Sequence, residues 1–263
     1  MPVGALERVA RLPAPLLRPW RRVARRWRRW AADPARLVAA ARRGPFWRVA
    51  PLRRNFGVGA GQPIDRYYIE SFLAEHAGDV RGRVLEVADD TYTRRFGGER
   101  VTCADVLHVR PGHPGATIIA DLTAADHIPS DTFDCVILTQ VLQFVFDTRA
   151  VLHTAHRILR PGGTLLATIP CTSRISTYDE AQWGEFWRVT SMGAGRLFGQ
   201  VFPADGLEVR AYGNILTAVA AMHGVVTAEL SRHELDHRDP DFEVLIAVRA
   251  VKATAVPSAT TPG

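Results

Sequence analysis

At 263 residues with 47% hydrophobic side chains, the chain can bury a full α/β core, and no apolar run reaches the length a bilayer-spanning helix needs. Cys103, Cys135 and Cys171 are odd in number and widely spaced, which argues against a disulfide framework and for reduced thiols, while the nine histidines show no metal-ligand spacing. The net charge of +6 hides two regions: residues 1–54 carry 15 arginines against Glu7 and Asp33, a net +13, and the remainder carries −7.

Residues 1–62 read as a basic arm and linker. In RPWRRVARRWRRW, arginines alternate with tryptophans, and a helix here would align Trp20, Val23, Trp27 and Trp30 in one stripe. Such a segment suits an anionic membrane surface, a protein partner or a solvated basic tail, with nucleic acid less favoured. No uninterrupted apolar segment of about 7–15 residues follows the arginines, so a secretory signal is not expected. The expectation is a cytoplasmic protein, peripheral at the inner membrane face if the arm binds lipid. The glycine-rich NFGVGAGQ reads as the linker into a domain spanning residues 63–252, and the small-residue tail 253–263 has no core face and is expected to be disordered.

The domain opens with a helix on the stripe Ile64, Tyr68, Phe72 and Leu73. Strands are expected at 84–87, 101–104, 117–120, 135–138, 164–169, 207–211 and 243–251, with later helices in the regions 183–202 and 216–230. The clearest pattern runs over 132–170, TFDCVILTQVLQFVFDTRAVLHTAHRILRPGGTLLATIP, as strand, helix and strand. Residues 135–138 and 164–169 are continuous apolar runs, as strands buried on both faces require. Between them Val151, Ala155, Ile158 and Leu159 recur at helical spacing, opposite Arg149, His153, His156, Arg157 and Arg160. The helix is expected to end at Arg160, because Pro161 disfavours helical geometry before it and the two glycines permit a sharp reversal.

These segments resemble class I S-adenosylmethionine-dependent methyltransferases. TFDCVILTQVLQFV and HRILRPGGTLLATIP are similar to their fourth strand, following helix and fifth strand. RGRVLEVADD is similar to the first strand and cofactor loop, VTCADV to the second strand, and TIIADLTAADHIPSDTFD to the third strand leading into the fourth. YDEAQWGEFWRVTSMGAGRLFGQVF and FEVLIAVRAVK are similar to the segment after the fifth strand and to the last, antiparallel strand. The resemblance implies a Rossmann-like, doubly wound sheet of seven strands with the last antiparallel, of the methyltransferase type 11-like kind that accompanies bacterial glycosyltransferases. It implies S-adenosyl-L-methionine as cofactor and a small-molecule or glycan hydroxyl as acceptor, in polysaccharide or glycolipid synthesis. The competing expectation is a noncatalytic scaffold of the same fold partnering a glycosyltransferase.

In such sheets a ligand sits outside the carboxyl ends of the strands, where strand order reverses. The resemblance places Glu86, Val87 and Ala88 against the methionine portion of the cofactor. Asp105, expected to end the second strand 18 residues after Val87, suits ribose hydroxyls. Asp121 and Leu122 correspond to the adenine contacts, and Thr139 and Gln140 flank the path from methyl donor to acceptor. The usual acid-x-Gly-x-Gly-x-Gly loop reads Glu86-Val87-Ala88-Asp89-Asp90-Thr91-Tyr92, without glycine until Gly97. Methyl transfer needs chiefly in-line positioning, so no catalytic residue is assigned, and His113, His127, Asp179 and His223 remain open as bases for an alcohol. Trp183, Phe186, Trp187 and Arg188 are expected to cover the acceptor side.

Overall fold

The computed structural model describes residues 48–254. The helical stripe expected in the basic arm, and nearly all of the C-terminal tail, lie outside them. Seven strands form one sheet in the order β3-β2-β1-β4-β5-β7-β6. They are β1 Gly82–Val87, β2 Val101–His108, β3 Ile118–Ile119, β4 Phe133–Thr139, β5 Leu159–Pro170, β6 Leu207–Tyr212 and β7 Leu245–Val251. Six run in one direction, and β7 alone inserts antiparallel, between β5 and β6. This is the expected Rossmann-like sheet, and its strand order reverses between β1 and β4, where Glu86 pairs with Ile137.

The predicted continuous apolar runs are buried as expected. Cys135, Val136, Ile137 and Leu138 of β4 and Leu165, Leu166 and Ala167 of β5 are wholly inaccessible, each large side chain contributing about 1.5–3 kcal/mol. Val136 and Leu138 share one cluster with Val151, Leu152, Ala155 and Ile158 of α2 (Thr148–Ile158) and with Ala194 and Phe198 of α4 (Ser191–Phe198). On the helix preceding β1, α1 (Ile64–Glu75), the residues Ile64, Tyr68, Ile69, Phe72 and Leu73 are buried, and this helix packs against β7 and α5 (Ile215–His223).

Several boundaries differ from expectation for identifiable reasons. Helix α2 starts where the Asp147 carboxylate accepts from Ala150 N at 3.0 Å, and it ends at Ile158 rather than Arg160. The Pro-Gly-Gly sequence is not a turn before the strand but its irregular entry: Leu159 already pairs with Phe133, and the register slips before Cys135. Gly162 takes φ +78, and a Cβ on Gly163 would lie 2.9 Å from Arg160 O, so both glycines are needed there. Of the region expected to be helical, 183–202, only Ser191–Phe198 forms a helix, α4; α3 (Thr177–Trp183) precedes it and stops at Gly184, φ +78. Likewise 216–230 is α5, ended by Gly224 in the left-handed region, followed by a single 3₁₀ turn at Thr227–Glu229; α6 (Arg232–Asp236) comes next.

The stretch 55–62, read as a linker, is bonded to the domain. Gly57 is buried against Val226 and Gly224, and Thr227 N donates to Gln62 O at 2.9 Å. Just before it, Arg53 N donates to His223 O at 2.9 Å, and its guanidinium reaches Glu229 at 2.8 Å.

Candidate functional site

The carboxyl ends of the parallel strands gather the sequence-predicted residues unevenly. At the end of β1, Glu86 is only 3% exposed, and its two carboxylate oxygens accept from Tyr92 N at 3.2 Å and Thr93 N at 2.8 Å. Burial pushes this carboxyl up to about 7; the backbone N–H groups of Thr93 and Tyr92 oppose the rise, and Asp89 adds to it. Val87 pairs with Leu107, and Ala88 N donates to Leu107 O at 3.0 Å. Ala88 itself holds φ +77, the conformation that a glycine at this point of the loop would adopt freely and that costs an L-residue about 1–2 kcal/mol.

The rest of the acidic loop is tied down locally. The Asp89 carboxylate accepts from Thr91 N at 2.8 Å, and Asp90 pairs with Arg94 at 2.6 Å. The loop is also coupled to α1, since Arg66 donates to the Tyr92 hydroxyl and lies over its ring. Only a π turn (Thr93–Gly97) and a 3₁₀ turn (Gly98–Arg100) separate this loop from β2.

Asp105 is the main correction. It does not end β2, which continues to His108; it sits opposite Leu85, two residues short of the level of Val87. Its carboxylate is taken by Arg83 Nε at 2.7 Å and by the Thr117 hydroxyl at 2.9 Å. Burial alone would raise it, but the Arg83 and Thr117 hydrogen bonds and the Arg83 charge outweigh that and hold it below the usual carboxylate range. The end of β2 is instead His108, stacked on His113 with ring centroids 4.7 Å apart.

Strand β3 is only two residues long, so Asp121 lies beyond its end, exposed, folding back to accept from Thr123 N at 2.9 Å, while Leu122 is buried. Thr139 ends β4 as predicted. Gln140 follows at φ +55, its N–H donating to Thr168 O at 3.0 Å. Ala88 and Gln140 thus follow the adjacent strands β1 and β4 at the point where strand order reverses, both in a left-handed conformation unusual for residues other than glycine. Backbone strain of this kind concentrates where a fold holds a ligand.

The segment expected as an aromatic cover is anchored on the strand-end loops. The Trp183 ring carries the Arg110 guanidinium at 4.3 Å and meets His108 edge-on at 5.9 Å. Phe186 N donates to Gln143 O at 2.7 Å, Trp187 Nε1 to Val145 O at 3.1 Å, and Arg188 reaches Ser173 O at 3.3 Å and Arg174 O at 2.8 Å. The segment therefore binds the loops after β2, β4 and β5 together.

Sequence reasoning missed a pocket beside this cover, lined by Phe56, Asp65, Gln140, Thr172, Ser173 and Arg174 together with apolar residues of α1, α5 and β7. Asp65 gave no signal beyond an acidic residue in a helix first turn, and Arg174 none at all. Of the open candidates, His113 stacks on His108, His127 Nε2 lies 3.2 Å from Ile119 O, Asp179 is in the first turn of α3, and His223 is buried in the last turn of α5; none lines the pocket.

Residues 55–167 match the family model described as a methyltransferase domain, which bears out the resemblance read from the sequence. No curated protein matches the chain. Similar solved structures include a SAM-dependent methyltransferase from Archaeoglobus fulgidus at 12% identity and TM-score 0.48, covering 71% of this chain and 94% of that one. An S-adenosylmethionine-dependent methyltransferase from Mesorhizobium loti is 17% identical with TM-score 0.45, covering 72% and 97%. The N-methyltransferase NodS from Bradyrhizobium japonicum WM9, solved with S-adenosyl-L-homocysteine, is 16% identical with TM-score 0.43, covering 73% and 88%.

Proposed function

Residues 55–167 carry a methyltransferase domain, and from that premise we propose that the chain is an S-adenosylmethionine-dependent methyltransferase acting on a hydroxyl of a small molecule or glycan. The observation that carries the reading is the pair of left-handed residues, Ala88 at φ +77 and Gln140 at φ +55, following the two strands that flank the reversal of strand order. One residue of the first loop, Ala88, keeps a glycine-like backbone, which suits the methionine portion of the cofactor, while Gln140 after β4 borders the path to the acceptor. The end of β2 fits less well, because the carboxylate read for the ribose is engaged by Arg83 inside the strand.

Bound at this crevice, S-adenosylmethionine supplies a methyl group activated on a sulfonium. The chain's own contribution is position and charge. Ala88 presents backbone at the end of β1, Glu86 holds a carboxyl beneath the loop, and Thr139 and Gln140 border the acceptor side. Trp183, Phe186 and Trp187 tie together the loops that border the acceptor side.

Calorimetric titration with S-adenosylhomocysteine tests the reading directly. The wild-type chain is expected to bind, and Ala88→Gly to bind with similar affinity while gaining about 1 kcal/mol of folding stability, because the strain at φ +77 is present before the ligand arrives. No heat of binding in either protein would leave a scaffold of the same fold as the better account.

The basic arm serves location in this reading, placing the domain at an anionic membrane surface where polysaccharide or glycolipid precursors and a partner glycosyltransferase would be met. The support is the net charge of +13 over residues 1–54 together with Trp20, Trp27 and Trp30. No helix among the described residues is long and apolar enough to cross a membrane. The full chain should cosediment with acidic liposomes, less so at high salt, and deletion of residues 1–47 should abolish it. The tryptophans should shift their fluorescence to the blue on binding; salt-sensitive binding without that shift would reduce the arm to a purely electrostatic tail.

A further inference from the structure

We propose that the pocket between α1 and the carboxyl ends of β4 and β5 is the acceptor subsite, and that it selects a hydroxylated molecule that also carries an oxyanion, phosphate or carboxylate. This deepens the methyltransferase reading and rests on it only for the word acceptor.

The two sides of the pocket have opposite chemistry. On the α1 side the lining residue is Asp65, whose charged neighbour is Arg66. Burial raises its carboxyl, outweighing the helix N–H groups and the neighbouring Arg66, whose guanidinium is turned to Tyr92. A half-buried carboxyl on the pocket wall can accept a hydrogen bond from a ligand hydroxyl.

On the β5 side, the Arg174 guanidinium lies 3.7 Å over the Phe56 ring, and its Nε is buried without a hydrogen-bond partner. Phe56 is a third non-glycine residue held at positive φ, +58. The acid that could neutralise Arg174 is engaged elsewhere: Glu185 accepts from Arg188 at 2.6 Å and from Ser176 N at 2.7 Å. Burial and then the nearby charge of Arg54 lower Arg174 against the opposing charge of Glu185, so the guanidinium is only partly compensated. The Gln140 side-chain Nε2 is a second buried donor without a partner. Thr172 and Ser173 add small polar side chains to the lining.

Unfilled donors beside a cation call for an oxyanion, since each buried donor left unpaired is costly and a guanidinium binds planar or tetrahedral oxyanions with charge-assisted bonds. An ammonium acceptor would gain from Asp65 but would face Arg174 and Arg54, which disfavours amines.

The probes are inorganic phosphate, glucose 6-phosphate and glucosamine, titrated calorimetrically into the full chain, with S-adenosylhomocysteine titrated in parallel. Glucose 6-phosphate should bind about tenfold tighter than phosphate, the gain coming from hydroxyls on Asp65, and glucosamine should not bind. Arg174→Gln should weaken both phosphate probes by about tenfold, and the arm's arginines, common to both proteins, cancel in that comparison. Asp65→Ala should remove only the advantage of the sugar phosphate. Both variants should keep the affinity for S-adenosylhomocysteine, which also reports that they fold; Arg174→Lys replaces a variant that does not. The proposal falls if the phosphate probes do not bind, if binding ignores Arg174→Gln, if Asp65→Ala leaves the sugar advantage intact, or if glucosamine binds best. Phosphate binding that depends on Arg174 and Asp65 in a protein that ignores S-adenosylhomocysteine would keep the subsite and sink the methyltransferase reading instead.

Discussion

Asp105→Ala should lower the free energy of unfolding by about 1–3 kcal/mol while leaving the affinity for S-adenosylhomocysteine unchanged. The carboxylate is 7% exposed and is satisfied by Arg83 and the Thr117 hydroxyl. Its removal strands the Thr117 hydroxyl, which also accepts from Val106 N at 3.0 Å at the β2–β3 edge. The larger penalty of a fully buried broken ion pair does not apply, because the Arg83 side chain is 40% exposed and can be rehydrated. Since the folded Asp105 carboxyl is depressed, its stabilisation is complete above the unfolded carboxyl value of about 3.9 and is lost as pH falls through the folded value. Urea melts of wild type and variant should therefore differ at neutral pH and converge in acid. A variant of undiminished stability that binds S-adenosylhomocysteine weakly would return Asp105 to the ribose.

That residue also shows why the site was less legible than the fold. Strand and helix identities follow from local pattern: 135–138 and 164–169 are continuous apolar runs, and the 151–158 stripe can be counted along the chain. The register of one parallel strand on the next leaves no such mark. An aspartate after VTCA reads as a strand end because interior strand positions rarely hold a charge, and the partner that makes an interior position tolerable, Arg83, stands 22 residues earlier with nothing in the sequence to join them. The same limit hid Arg174 and Asp65, which line one pocket although 109 residues apart in the chain. Conversely, the missing glycines of the first loop looked like an objection to the cofactor. The backbone at Ala88 holds a positive φ all the same, so at that one position the missing glycine does not forbid the conformation.

Glu86 supplies the second large effect, and it has the opposite sign. In the unfolded chain its carboxyl titrates near 4.3, whereas burial in the folded protein holds it at about 7. A raised acid contributes stability that is fully present below the unfolded value and is lost as pH rises through 7. Relative to Glu86→Gln, the wild-type protein without ligand should therefore lose about 3 kcal/mol between pH 4 and pH 8, visible as a falling thermal midpoint where the variant's stays flatter. Ligand binding follows from the same proton. The ammonium of S-adenosylhomocysteine beside this loop favours the ionised carboxylate, so binding expels a proton from Glu86, and affinity should rise about tenfold from pH 6 to pH 8 and level off above that. Calorimetry in buffers of different ionisation enthalpy should register that proton near pH 6 and none near pH 8. Glu86→Gln keeps one of the two acceptor contacts to Tyr92 N and Thr93 N, its amide NH2 facing the other, and it has no proton to lose, so its affinity, weaker or not, should be flat across this range. A wild-type affinity equally flat, with binding intact, would separate Glu86 from the ligand and leave it as the carboxyl that holds the loop's own backbone in place.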